Sequence, residues 1–129
     1  MVPKELKYTK DHEWVRIEGS LARVGITDHA QAALGDITFI EAPAAGKKVA
    51  QHGELGVIES VKAASDIFAP VAGTVAEVNA DLDDTPELVN KDPYGKGWIC
   101  ALKDCDMAGL AGLMDAADYA KFVAETEKG

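Results

Sequence analysis

The chain has 129 residues, 47% of them hydrophobic, and carries 13 lysines and arginines against 22 aspartates and glutamates for a formal net charge of -9. That length and apolar content suit one domain with a real core, and no apolar run is long enough to span a bilayer. The negative charge argues against nucleic acid or an anionic membrane as partner, and the 2 cysteines are too few for a disulfide framework.

Residues 1–10 contain no apolar stretch resembling a secretory signal, so the expected location is the cytoplasm, or the mitochondrial matrix for a mature organelle form. Residues 12–18 alternate, with Val15 and Ile17 on one side. Gly19 and Ser20 make a turn pair, and residues 21–26 alternate again with Ala22, Val24 and Ile26 on one side, which predicts a hairpin. Thr27 reads as a helix N-cap, Asp28 places a carboxylate in the first turn, and Gly35 ends a helix of about two turns. Residues 37–42 predict a strand and residues 43–48 a turn rich in small side chains.

Leu55, Val57 and Ile58 then lead into a short polar connection, and Ile67, Phe68 and Val71 lead out of it. This predicts a second hairpin with Lys62 at its tip, although the tip lacks the Asn-Gly or Asp-Gly pair that favours the tightest turns. Residues 73–79 form a small-residue strand and residues 79–84 an acidic connection. Thr85 and Pro86 set the N-cap and first position of a single helical turn over 86–89. Residues 92–97, with Gly95 and Gly97, are a turn cluster. Residues 98–103 are the last strand, with Trp98, Cys100 and Leu102 on one face, and both Trp14 and Trp98 are expected in the core. Asp115 caps a C-terminal helix whose Tyr119, Phe122 and Val123 share an apolar face, and residues 125–129 predict a charged, frayed tail.

Short strands at this spacing predict a mainly β fold, a flattened barrel or sandwich of antiparallel strands with small helices added. One domain is expected over residues 1–129, with a C-terminal helical extension beginning near 104. His12, His29 and His52 are dispersed and make no metal-ligand spacing, and nothing spaces a base against Cys100 or Cys105 for a thiol nucleophile.

A lysine at a hairpin tip is ordinarily a solvated charge. Here it stands in Glu59-Ser60-Val61-Lys62-Ala63, with Ser65-Asp66, Pro70-Val71, Gly73 and Val75 following. That segment resembles the lipoyl-attachment segment of the glycine cleavage system H-protein family. His12-Glu13-Trp14, Gly25-Ile26-Thr27 with Leu34-Gly35-Asp36, Pro86 to Asn90, Asp92-Pro93-Tyr94, and Leu113 to Ala116 with Tyr119 resemble further blocks of that family, in family order.

The resemblance implies two small antiparallel sheets related by a rough two-fold, and lipoate joined by an amide bond to Lys62. That amide removes one positive charge and takes the formal net charge from -9 to -10. It implies a non-catalytic carrier that takes an aminomethyl group from a pyridoxal-phosphate glycine decarboxylase to a tetrahydrofolate-dependent aminomethyltransferase. Electrons pass to the FAD enzyme dihydrolipoyl dehydrogenase. Glu59, Ser60 and Asp66 are assigned to recognition by the lipoylating enzyme, a lipoate ligase or lipoyl/octanoyl transferase. Glu13 and Asp66 are carboxylates that a cationic loaded arm would meet on folding back.

Rivals remain within the carrier class. A biotinyl carrier is disfavoured because Val61 and Ala63, not methionines, flank the lysine. A lipoyl domain of a 2-oxo acid dehydrogenase complex would bring a linker and a catalytic domain, and an H-like lipoyl-relay protein shares the same motif. An unmodified interaction module is separated from all of these by intact mass.

Overall fold

The computed structural model describes residues 3–128. Among these residues nine short strands make two antiparallel sheets. The larger has the order β1 (Lys7–Tyr8), β2 (Glu13–Glu18), β3 (Leu21–Ile26), β9 (Cys100–Lys103), β8 (Gly73–Val78), β5 (Lys48–Val49). The smaller has the order β4 (Ile37–Glu41), β6 (Glu54–Ser60), β7 (Ala64–Phe68). Val24, Ile37, Ile58, Ile67, Val75 and Leu102 are buried in one apolar core formed by both sheets. Each fully buried side chain of this size contributes roughly 1.5–3 kcal/mol, so this core dominates the fold's stability. The expected flattened β architecture is what forms.

A second cluster of Leu6, Tyr8, Trp14 and Tyr119 lies under the C-terminal helix α4 (Ala116–Lys128). Asp115 caps that helix by accepting from the Asp118 N–H at 2.8 Å. The helix runs on to Lys128, and of the expected charged tail over 125–129 the last residue, Gly129, lies outside the described residues. Both faces of β2 are covered at its start, where Trp14 meets this second cluster and Val15 the main core, while Ile17 emerges into solvent. No described helix is long and apolar enough to cross a membrane.

The first helix, α1 (Asp28–Leu34), forms as expected, with the Thr27 hydroxyl accepting from the Ala30 N–H and Gly35 closing it at φ 81°. Three local expectations shift. The acidic connection coils into a single turn, α2 (Asp81–Asp84), because the Asn79 side chain accepts from the Asp81 N–H. The next turn, α3 (Leu88–Lys91), starts two residues late, since the Thr85 and Pro86 carbonyls accept the N–H groups of Leu88 and Val89 and make an entry turn first. The last strand begins at Cys100 rather than Trp98, because the Asn79 amide donates to the Lys96 and Trp98 carbonyls and holds that segment outside the ladder. Trp98 is therefore half-buried rather than in the core, its ring stacked beneath the Arg23 guanidinium at 4.3 Å. The edge strands β1 and β5 have two residues each, too few to show a period.

Candidate functional site

The β6–β7 hairpin pairs Ile58 with Ser65 and Glu59 with Ala64, leaving Val61, Lys62 and Ala63 as its tip. No glycine supplies the turn. The Ser60 hydroxyl does so by accepting from the N–H groups of Lys62 at 3.3 Å and Ala63 at 3.1 Å, while the Ser60 N–H donates to the Ala63 carbonyl at 2.8 Å. A serine side chain that mimics a backbone turn in this way is the local reason the tip closes. Lys62 is exposed, and the ion pairs among the described residues, Arg16–Glu18 and Arg23–Glu18, lie elsewhere.

The tip leans on the turn that follows α1. The Val61 N–H donates to the Asp36 carbonyl at 3.1 Å. A Cβ placed on Gly35 would stand 3.6 Å from the Lys62 Cε, so the lysine stem passes over a bare glycine. Asn90 on α3 fixes that turn from below. Its amide nitrogen donates to the Gln31 Oε1 at 2.8 Å and the Gly35 carbonyl at 2.9 Å, and its Oδ1 accepts from the Ile37 N–H at 2.9 Å. One side chain thus ties α1, the turn and β4 together beneath the lysine. Asn90 belonged to a recognisable block, but no sequence signal pointed to this role.

Of the other expected site residues, Glu59 and Asp66 are exposed, and neither belongs to an ion pair among the described residues. Both lie on the outer face of the small sheet, Glu59 opposite Phe39 and Asp66 opposite Val57. Glu13 is elsewhere and only 2% exposed. Its Oε1 accepts from the Thr9 hydroxyl at 2.6 Å and its Oε2 from the Phe68 N–H at 3.1 Å. Burial raises its pKa to about 7, against the lowering effect of those two bonds. Glu13 is therefore a buried tie between β2 and the base of the hairpin, and of the two carboxylates named for a folded-back arm Asp66 is the exposed one.

Two of the histidines expected to be dispersed come together. His12, at φ 68°, packs its ring 4.6 Å from that of His29, and its Nδ1 lies 2.7 Å from the Tyr119 hydroxyl. Burial and the neighbouring His29 lower the His12 pKa. No group of three or more potential metal ligands exists among the described residues. The Cys100 thiol is buried and pushed up to about 12 by that burial, an environment for packing rather than reaction. A cleft of about 420 Å³ is lined by Tyr8, Thr9, Lys10, Asp11, His52 and residues 112–114, and none of these belongs to the lysine tip.

Comparison with known proteins adds a family. Residues 6–126 match the family model described as "Glycine cleavage H-protein". The "Glycine cleavage system H protein" of Acinetobacter baumannii is 56% identical over 117 residues, 91% of this chain and 94% of the relative. That of Carboxydothermus hydrogenoformans is 49% identical over 125 residues, 97% and 96% of the two chains. The crystal structure of a glycine cleavage system H protein from Mycobacterium marinum superposes with a TM-score of 0.86 at 36% identity, covering 95% of this chain and 99% of that one.

Proposed function

The chain belongs to the glycine cleavage H-protein family, and from that premise we propose that it is the lipoyl-bearing shuttle of the glycine cleavage system, with lipoate attached to Lys62. The observation that carries the site is the placement of Lys62. Its side chain is exposed at a hairpin tip whose backbone is fixed by Ser60 and Asp36, and its stem crosses Gly35, where no side chain obstructs it. An amine so placed fits an amide-linked arm: the anchor is ordered, and the arm is free to swing.

Attachment asks little of the chain. The deprotonated Lys62 amine attacks the carbonyl carbon of an activated lipoyl group, the C–N bond forms, the bond to the leaving group breaks, and the nitrogen releases its remaining extra proton. Once bound, the dithiolane supplies a disulfide that accepts an aminomethyl group and electrons, and thiols that give electrons back. The protein contributes the anchor and the tether, which holds the arm at roughly millimolar effective concentration near a docked partner. The partners that follow from the family are a pyridoxal-phosphate glycine decarboxylase, a tetrahydrofolate-dependent aminomethyltransferase and a flavin dihydrolipoyl dehydrogenase. The chain is then a carrier and not a catalyst. The relatives named above are bacterial, which supports a cytoplasmic site of action.

The test is intact mass and peptide mapping of protein produced with a lipoate ligase, together with glycine cleavage rebuilt from purified components. Wild type should gain one lipoyl mass on the Lys62 peptide and support turnover. Lys62→Arg should gain none and support none. An unmodified wild type, or an active Lys62→Arg, overturns the reading.

A further inference from the structure

The small sheet has one face in the core and one in solvent, and the solvent face is not uniformly polar. Ile37, Ile40, Ile58 and Ile67 point inward and are buried. On the other side Phe39 is 53% exposed, and Val61, next to the lysine, is 69% exposed. Phe39 stands opposite Glu59, and Glu41 opposite Val57, which in turn faces Asp66 on β7. The result is an apolar centre of Phe39, Val57 and Val61 with Glu41, Glu59 and Asp66 around it. None of these three carboxylates belongs to an ion pair among the described residues.

We propose that this outer face of β4–β6–β7, centred on Phe39 and Val61, is the seat of the enzyme that acylates Lys62, and that the enzyme meets it with an apolar hollow rimmed by arginine or lysine. The inference rests on the reading of Lys62 as the attachment point. Two observations choose the occupant. An enzyme that builds an amide on Lys62 must bring its reactive carbon to the lysine Nζ, so it comes against the tip, where the exposed Val61 adjoins the lysine and continues the outer face of β6. Enzymes served by the finished arm meet its sulphurs at a distance from the tip and have no such requirement. The unneutralised carboxylates supply the charge complementarity: a cationic rim gains attraction from all three, while an acidic surface is repelled. A partly exposed phenylalanine inside a polar ring is also the usual form of an interface anchor, in which a large apolar side chain carries binding and the rim excludes water.

The experiment measures acylation of Phe39→Ala and of the charge variant Glu41→Lys by a purified lipoate ligase with lipoate and ATP, followed by intact mass. The second readout is reoxidation of the dihydrolipoyl form of each variant, lipoylated to completion beforehand, by dihydrolipoyl dehydrogenase. Phe39→Ala should raise the KM for the carrier about tenfold with kcat nearly unchanged, the size of effect expected for truncating an interface anchor. Glu41→Lys should raise it less and reduce its salt dependence. Both pre-lipoylated variants should be reoxidised at the wild-type rate. An unchanged KM in Phe39→Ala overturns the proposal. So does an equal defect in both readouts, which would make the face a general docking or folding feature. A wild type that is never acylated on Lys62 would instead sink the attachment reading itself, so the two failures are distinct.

Discussion

At its base, the lysine hairpin is tied to the six-stranded sheet by a buried carboxylate, Glu13, which accepts from the Phe68 N–H at the end of β7. At its tip, the same hairpin is closed by the Ser60 hydroxyl and pinned by the Asp36 carbonyl. The base tie is ionisable, desolvated and costly when charged. The tip ties are neutral and next to water, so each is worth little in stability. Stability and pH dependence should therefore concentrate at the base, and attachment chemistry at the tip. Substitutions at each end can separate the two.

The largest effect belongs to Glu13. Its folded pKa is raised from 4.5 to about 7, so between these values the unfolded chain releases a proton that the folded chain keeps. Stability from this group is fully present below pH 4.5 and is lost as pH rises through 7. The shift corresponds to a loss on the order of 3 kcal/mol. Glu13→Gln keeps an oxygen for the Phe68 N–H and removes the titration. Urea unfolding from pH 5 to pH 8 should show wild type losing stability relative to Glu13→Gln across that range. Parallel curves would show that the base tie carries no such penalty. Acylation of Lys62 in folded Glu13→Gln should stay near wild type, because the tip contacts are untouched.

Asn90 lies between the two ends, and its substitution sharpens the contrast. Asn90→Ala leaves the Ile37 N–H and the Gly35 carbonyl without their partner. The cost of such groups is about 1–3 kcal/mol. Unlike the Glu13 change, this one should reach the tip, because the Asp36 carbonyl that holds Val61 sits in the freed turn. Amide hydrogen exchange should accelerate at Ile37 and Val61, and Lys62 acylation should slow. Faster exchange at Ile37 alone would show that the turn holds the tip without help from α3.

The tip was the legible end. Its strands show their pattern, and the segment around Lys62 resembles its family residue by residue, so the lysine could be named although a lysine on a turn is physically ordinary. The base was not legible. Alternation in residues 12–18 sets Glu13 with Val15 and Ile17 on one side and Trp14 with His12, Arg16 and Glu18 on the other, and nothing in that pattern shows a carboxylate buried as a tie to Phe68. The strand instead starts between two apolar clusters and ends in solvent, so Glu13 and Trp14 are both buried while Ile17 is not. Trp14 is covered because α4 folds back onto this end of the sheet, Tyr119 joining Leu6, Tyr8 and Trp14 in one cluster, a contact between residues about a hundred positions apart that no local period records. Asn90 was hidden for the same reason, since its three partners lie 53 to 59 residues away.

The smallest stability effect should come from Ser60, and it decides what this residue is for. Ser60→Ala removes a half-buried hydroxyl that accepts two tip N–H groups, both able to turn to water instead. The loss should be about 0.5–1.5 kcal/mol. If Ser60 acts by shaping the tip, exchange at the Lys62 and Ala63 amides should rise in Ser60→Ala, with a few-fold fall in the rate of acylation. Ser60→Thr keeps the hydroxyl and should restore both together. If the acylating enzyme reads Ser60 directly, the added methyl of Ser60→Thr should impair acylation while amide exchange stays at the wild-type rate. The same hydroxyl cannot satisfy the backbone and present a free group to a partner without cost, so the threonine variant separates geometry from recognition where the alanine variant alone would not.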